Sequence, residues 1–232
     1  MRAKRAGLIL GGVCVAAAPL AVFLQKGREA AFLPALLLAV CGLLLVCFFD
    51  FERSRAGAQK IVLIALLAAV ACAGRVLFAG IPSVQPASFL IILTGAVFGP
   101  QAGFMTGAMT ALTSNMLLGQ GPWTVWQMAA WGLMGLFAGV SGRFLKKHLA
   151  ALCAYGLLWG FLFGWFMNLW TVFGGFFGAV SLRAVLAACA ASLPLDFAHA
   201  ACNLLLLLLL ARPFLRKMER IAVKYGLKKQ GE

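Results

Sequence analysis

Long uncharged apolar runs, separated by short polar or charged segments, extend along almost the whole chain. A run of about 20 apolar residues crosses the ~30 Å hydrocarbon core of a bilayer as an α-helix. Every backbone polar group in hydrocarbon needs an internal partner, so these runs are helices rather than irregular chain. The pattern predicts eight spans, near residues 7–24, 31–49, 61–80, 87–98, 101–118, 126–144, 150–173 and 193–211. The fourth of these is short enough to be tilted or only partly inserted, and 182–192 is predicted to be a lid or loop helix.

Composition strengthens the prediction of an all-α integral membrane protein. Of the 232 residues, 63% are hydrophobic and 11% are charged, whereas a soluble domain has about 45–50% apolar and about 25% charged residues. This excludes a water-soluble globule, and the high hydrophobicity excludes a disordered chain. A net charge of +14 would suggest a nucleic-acid partner in a soluble protein. Here the basic residues lie at the ends of apolar runs, so no nucleic-acid partner is expected.

The distribution of Lys and Arg predicts the orientation, because cytoplasmic loops are enriched in both. With the N-terminus inside, 16 of the 20 basic residues fall in cytoplasmic segments and three, Lys26, Arg28 and Arg183, fall outside. We therefore expect a multi-pass protein of a bacterial cell membrane with both termini in the cytoplasm. The first run could instead be a cleaved signal peptide, which would leave seven spans. The expected divisions are two N-terminal transmembrane helices at 1–56, a six-helix membrane domain at 57–215 and a basic cytoplasmic tail at 216–232.

The seven cysteines all lie inside apolar runs, and no two of them form a C-x-x-C pair. Cysteines in such positions are small packing residues. We therefore expect neither a metal site nor a cofactor.

The segment 114–127 carries the densest polar pattern and is expected to form an external turn between two spans. Tryptophan is common at membrane interfaces, so Trp123 and Trp126 by themselves indicate only an aromatic belt. Three amide side chains lie beside them: Asn115, Gln120 and Gln127. Aromatic faces combined with amide donors and acceptors suit a ring-containing ligand with little or no charge. This segment is therefore a candidate ligand-binding site.

The last span places Asp196, His199 and Asn203 on one helical face, with Ser192 as the expected N-cap and Pro194 in the first turn. Ionisable groups at membrane depth usually face a cavity or one another. Asp196 and His199 are therefore candidate ligand contacts. The structural alternatives are an Asp–His pair or a carboxylate at a helix terminus.

Three further polar residues are candidate ligand contacts. Arg75 lies late in the run at 61–80, where it could snorkel, pair with Asp196 or bind a ligand carboxylate or phosphate. Gln85 lies in the following external loop. Asn168 lies late in the run at 150–173, where interhelical hydrogen bonding is the alternative role.

Rows of small residues predict close helix packing, because lipid provides no hydrophobic drive for helices to associate. One such row, in the run at 61–80, consists of Ala65, Ala69 and Ala73. It either packs inside the bundle or forms a strip on which another helix docks. Two glycine rows are assigned to the bundle itself: Gly99, Gly103 and Gly107, and Gly156, Gly160 and Gly164.

Catalytic motifs are missing from the sequence. It contains no G-x-S-x-G, no H-E-x-x-H and no phosphate-binding loop of the G-x-x-x-x-G-K-[ST] type. Any ATP-driven work must therefore come from another polypeptide. Two alternatives stay open: an integral membrane enzyme acting on a lipid or isoprenoid with Asp196 and His199 as catalytic groups, and a scaffold or small channel.

Over about residues 58–222 the chain resembles the substrate-binding S components of energy-coupling factor (ECF) vitamin transporters. The resemblance rests on the alanine row, the G-Q-G-P-W-T stretch and the P-L-D-F-A-H-A stretch. It implies a six-helix bundle, not an enzyme, that binds a vitamin from outside the cell. It also implies docking through the alanine row to a transmembrane coupling subunit driven by two ATP-binding subunits. The G-Q-G-P-W-T-x-W-Q stretch looks most like members associated with cobalamin or related corrinoids, while riboflavin-binding members belong to the same broad family.

Overall fold

The computed structural model describes residues 32–53, 57–176 and 180–227, and every regular element within them is a helix. This confirms the predicted all-α fold class. The first predicted span, 7–24, lies outside the described residues, and so does the question of its cleavage. The helices are α1 (Phe32–Arg53), α2 (Ala58–Leu77), α3 (Pro86–Phe98), α4 (Pro100–Leu118), α5 (Trp123–Val140), α6 (Gly142–Lys147), α7 (Leu149–Phe173) and α8 (Leu182–Lys224).

Within the described part of the chain, α2, α7 and α8 are long and apolar enough to span a membrane, and α3 is a shorter apolar helix. α3 lies at the centre, in contact with α2, α4, α5 and α8. Ala87 through Val97 are all buried, as expected for a helix that is apolar on every side. Its 13 residues extend only about 20 Å. Because the neighbouring helices surround α3, its length does not have to match the thickness of the bilayer.

Glycines bring α3, α4 and α5 into backbone contact. A Cβ atom on Gly95 or Gly103 would strike the carbonyl group of Gly135, and one on Gly107 would strike the backbone of Trp131. The assignment of Gly103 and Gly107 to internal packing is confirmed. Gly99 takes part in the same packing through its backbone, which a Cβ on Gly139 of α5 would strike, while its own φ of 93° places it in the turn between α3 and α4.

A second glycine row joins α7 to α8 along an antiparallel hairpin. Gly156 faces Leu207, Gly160 faces the backbone of Ala200, and Gly164 faces the Asp196 carboxylate. The internal role predicted for this row is confirmed.

α8 begins earlier than predicted. Ser181 is its N-cap and accepts a hydrogen bond from the Ala184 amide, so Ser192 and Pro194 lie inside the helix. The prediction of a separate lid or loop helix at 182–192 is therefore wrong. A proline inside a helix removes one backbone hydrogen bond, and packing of Ala184 and Ala188 against Val172 of α7 offsets that loss.

α8 also continues beyond the last predicted span, as a helix to Lys224. Leu215, Met218 and Ala222 are buried in the main apolar core. Lys146 of α6 forms an ion pair of 3.0 Å with Glu219. The first part of the expected tail thus packs on the bundle.

The connecting residues 78–85, 119–122, 174–176 and 180–181 lie at one end of the bundle, which we call the site end. Gly99 and the region 141–148 lie at the opposite end. The expected external turn at 114–127 is shorter than predicted, since only 119–122 lies between helices. Most polar side chains of that segment are therefore held on α4 and α5, and Gln120 lies in the turn between them.

Candidate functional site

Arg75 lies in the last turn of α2 and connects that helix to α4. Its Nη1 donates hydrogen bonds to Ser114 Oγ at 2.5 Å and to Asn115 Oδ1 at 2.6 Å. The guanidinium carbon lies 4.9 Å from the centre of the Trp131 ring, a distance at which a cation is attracted to the aromatic face. Arg75 forms no ion pair with Asp196, so the expectation that these two residues pair is wrong.

Asn115 is the hub of a set of polar side chains from three helices and one turn. Its Nδ2 donates to Thr124 Oγ1 at 2.8 Å and to Gln127 Oε1 at 2.7 Å. Thr124 Oγ1 in turn donates to Gln120 Oε1 at 2.8 Å. We call the residues Arg75, Ser114, Asn115, Gln120, Thr124 and Gln127 the amide cluster. The structure thus brings together four of the predicted site residues.

A second chain of contacts connects the amide cluster to α8. Trp131 Nε1 donates to Ser88 Oγ at 3.1 Å, and Ser88 Oγ lies 2.7 Å from His199 Nε2. The Phe163 ring stacks on Trp131 and meets the His199 ring edge-on, with centroids 5.1 Å apart in both pairs. His199 is buried and reaches Arg75 through Ser88 and Trp131.

Sequence reasoning missed Ser88, Trp131 and Phe163. A signal for Trp131 was present, because Thr124, Gln127 and Trp131 follow an i, i+3, i+7 spacing that places them on one face of α5. Phe163 gave no such signal, since it is one apolar residue within an apolar run.

Asp196 belongs to a separate polar contact between α7 and α8. Ser192 Oγ donates to Asp196 Oδ2 at 2.7 Å, and Asn168 Nδ2 donates to Ser192 Oγ at 2.8 Å. The expected interhelical hydrogen bond of Asn168 is confirmed. Both structural alternatives for Asp196 are wrong, because His199 contacts Ser88 instead and Asp196 lies in the helix interior.

Asn203 completes the predicted polar face of α8, and it is buried. Its Nδ2 donates to the carbonyl oxygen of Gly156 at 3.0 Å. Asn203 therefore helps to hold the α7–α8 hairpin together.

Trp126 and Gln85 each carry a buried polar atom without a hydrogen-bond partner, Nε1 in Trp126 and Oε1 in Gln85. A buried polar atom without a partner lowers stability by about 1–3 kcal/mol. Such atoms are rare in folded proteins, so each of these two is a candidate to bind a ligand. Trp126 is 1% exposed, with the rings of Phe166 and Trp170 at 5.3 and 6.5 Å between centroids. The backbone of Gln85 faces the thiol of Cys202, which lies three residues after His199 on α8.

Trp123 lies at the rim of the site end. It is the first residue of α5, is 39% exposed and has its ring over Gly121. Within the described ranges, no group of three His, Cys, Asp or Glu side chains is suited to hold a metal ion.

α7 contacts Trp126 and the polar residues of α8. Phe163 contacts His199, Gly164 faces Asp196, Phe166 and Trp170 contact Trp126, and Asn168 bonds to Ser192. Six of the predicted site residues therefore lie in two separate polar clusters, the amide cluster and the Asn168–Ser192–Asp196 contact, while aromatic rings of α7 pack against Trp126 and His199.

The alanine row lies on a different surface. Ala65, Ala69 and Ala73 are exposed and line an apolar groove of about 970 Å³ between α2 and α4. The buried residues of α2 are Ile64, Ala68, Ala71 and Cys72, and three of them, Ile64, Ala68 and Cys72, also line this groove. Other lining residues of the groove include Phe51 of α1 and Met105, Met109 and Thr113 of α4. Within the described bundle this row is therefore an open surface rather than an internal contact.

Comparisons with known proteins agree with a transporter subunit. The model of the family described as "ECF-type riboflavin transporter, S component" matches residues 56–217. A UPF0397 protein of Vibrio atlanticus is 28% identical over 97 residues, which make up 40% of this chain and 53% of the relative. The chain thus spans about half the length of that relative. No solved structure matches.

The family match decides between the open alternatives. S components are parts of transporters, so the chain is not an enzyme, and the alternative of a lipid-modifying enzyme with Asp196 and His199 as catalytic groups is wrong. The resemblance to S components is confirmed, whereas neither comparison supports the cobalamin subgroup. The apolar helices and the family together indicate a membrane protein. With 56–217 matched, the chain belongs to the family of ECF-type riboflavin transporter S components.

Proposed function

We propose that this protein is the substrate-binding subunit of an ECF importer and that its substrate is riboflavin or a close flavin relative. Riboflavin is neutral and combines a planar ring system, whose edge carries N–H and C=O groups, with a chain of hydroxyl groups. A site for such a molecule needs aromatic faces and uncharged donors and acceptors. The observations that support the proposal are the amide cluster, whose Asn115 and Gln127 side chains are uncharged, and the unpaired indole N–H of Trp126, the residue before Gln127 on α5.

Each candidate residue receives a role under this proposal. The amides of Asn115, Gln120 and Gln127 bind the polar edge or the hydroxyl chain of the vitamin. Arg75 positions Asn115 through the 2.6 Å hydrogen bond and does not compensate a ligand charge. Trp126 provides a ring face and an N–H for a carbonyl oxygen.

The remaining candidates complete the site on the other helices. Gln85 Oε1 is a free acceptor for a vitamin N–H or hydroxyl group. Trp123 covers the rim of the site, and Asn168, Asp196 and His199 form its α7–α8 side.

Delivery of the vitamin requires other subunits. ECF S components work with a membrane coupling subunit and ATPases, and this chain has no phosphate-binding loop of its own. We assign docking of the coupling subunit to the groove that contains Ala65, Ala69 and Ala73. The small side chains permit close approach of a helix, which is what drives association in lipid. We also assign both termini to the cytoplasm, because most Lys and Arg residues then lie on that side.

The identity of the vitamin is tested with purified full-length protein. Small molecules released on denaturation are identified by mass spectrometry, and riboflavin is titrated by the quenching of its fluorescence, with cyanocobalamin as competitor. We expect a flavin in the released fraction, saturable quenching and no competition by cyanocobalamin. A chain that binds cyanocobalamin and leaves riboflavin free would overturn the substrate proposal.

A further inference from the structure

α1 lies outside the region that matches the family, yet it is packed against the site. The match begins at residue 56, whereas α1 ends at Arg53. α1 contacts α5, α4 and α7. Its buried residues Val40 and Leu44 belong to one apolar cluster with Trp126 and other residues of α4 and α5. The helix is therefore joined to the domain through buried apolar contacts.

The interface of α1 includes the aromatic residues of the site. The cluster that holds Val40 and Leu44 also includes Phe166, Met167 and Trp170 of α7 as partly buried members. Trp126 contacts both Phe166 and Trp170. α1 thus shares one apolar cluster with Trp126 and with the two α7 rings that contact Trp126.

Two contacts near the C-terminal end of α1 join it to α4. Phe48 meets the ring of Phe104 edge-on, with centroids 6.3 Å apart. Gln101 Nε2 donates to Asp50 Oδ2 at 2.6 Å. α1 is therefore held on α4 as well as against the aromatic rings.

We propose that α1 is a lateral wall of the vitamin site, an addition to the S-component domain that separates Trp126 from lipid and slows the release of bound vitamin. Acyl chains have no hydrogen-bond acceptor for the unpaired Trp126 Nε1, so exclusion of lipid reserves this N–H for a ligand. A closed side also removes one route by which a ligand leaves. The inference rests on the proposed function, because it concerns the same site.

Two adjacent leucines provide a matched test. Leu44 is 7% exposed within the interface and Leu45 is 57% exposed on the outer face. Leu44→Ala opens the wall, while Leu45→Ala removes the same atoms from the lipid-facing surface. Because most affinity changes among related complexes arise from dissociation rates, we expect Leu44→Ala to release riboflavin roughly 5- to 10-fold faster and Leu45→Ala to stay within about 2-fold of the unmodified chain. Equal release rates in all three proteins, with bound flavin present, would overturn the inference.

A leucine deletion in a packed interface also lowers stability, so a second variant and a second readout are needed. Val40→Ala is a smaller deletion in the same cluster and replaces Leu44→Ala if the latter does not fold. Lipids with brominated acyl chains quench tryptophans that they reach, and subtraction of the Trp126→Phe signal isolates Trp126. We expect stronger quenching of Trp126 in Leu44→Ala than in Leu45→Ala. Equal quenching in the two variants contradicts the wall, even if no flavin binds. If the unmodified chain does not bind flavin, only the proposed function is contradicted.

Discussion

At the scale of single residues, neutral partners surround the one arginine of the site. Arg75 Nη1 donates to a hydroxyl and an amide oxygen, and its guanidinium group lies over Trp131. The planar guanidinium group lays its flat face on the Trp131 ring while Nη1 donates both hydrogen bonds, and the compact lysine ammonium group has no such flat face. The shape of Arg75 is therefore as important as its charge.

Replacement of Arg75 by lysine tests this point. We expect Arg75→Lys to lower the free energy of unfolding by about 1–2 kcal/mol, because one hydrogen bond to Asn115 or Ser114 and the contact with Trp131 are lost. The control is Arg183→Lys, at an exposed position of the same end. Thermal unfolding in detergent measures both. If the two variants unfold at the same temperature, Arg75 acts as a simple positive charge.

At the scale of helices, close packing through glycine is the feature on which the bundle depends. Gly103 of α4 and Gly135 of α5 leave no room for a Cβ atom on either side. Overpacking of this kind moves the backbone, because protein interiors have few voids.

We expect Gly103→Ala to cost about 1–3 kcal/mol of stability or more, since the added methyl group strikes backbone rather than a flexible side chain. Gly80→Ala is the matched control, because a Cβ there meets nothing within 4 Å. Expression level and the thermal midpoint compare the two. A Gly103→Ala protein as stable as Gly80→Ala would contradict the close contact between α4 and α5.

Helix positions were largely predictable from the sequence, and helix starts were less so. The apolar runs at 61–80, 87–98, 101–118 and 150–173 correspond to α2, α3, α4 and α7 within a few residues, because apolar length alone identifies a helix in a membrane. The start of α8 was not predictable in this way. Ser192 and Pro194 have the local chemistry of a helix start, but the Ser181 cap and the contact with Val172 extend the helix across them.

The same contrast holds for the site. Asn115, Gln127 and Asp196 stand out because polar residues are rare in apolar runs. Their partners Ser88, Trp131 and Phe163 are ordinary residues in sequence and acquire roles only from the packing of α3, α5 and α7. Spacing showed which residues share a face of a helix but not which helix that face meets, as the separation of Asp196 from both Arg75 and His199 demonstrates.

At the scale of the whole molecule, the proposed vitamin site and the proposed docking surface consist of different residues. The amide cluster lies among buried helices at the site end, whereas the alanine row lines the open groove between α2 and α4. Changes to one surface are therefore expected to leave the other intact.

We expect Ala69→Leu to abolish vitamin uptake and to leave the affinity for vitamin unchanged. The larger side chain fills the groove and keeps a partner helix away, and Ala69 makes none of the hydrogen bonds of the amide cluster. Ala154→Leu is the control, because Ala154 is exposed on α7 and does not line the groove. Uptake of radiolabelled vitamin is measured in cells that express the coupling subunit and ATPases. Normal uptake by Ala69→Leu would contradict docking at this groove.

The most direct test of the vitamin site is a comparison of two glutamine variants by riboflavin titration. Gln127 accepts a hydrogen bond from Asn115 at the centre of the amide cluster, whereas Gln59 is exposed at the opposite end of α2. Loss of an interaction worth about 1.4 kcal/mol or more corresponds to at least a tenfold change in Kd. We expect Gln127→Ala to weaken riboflavin binding by about tenfold or more and Gln59→Ala to bind as the unmodified chain does. Equal affinity in all three proteins, or no binding to any of them, would contradict a vitamin site at the amide cluster.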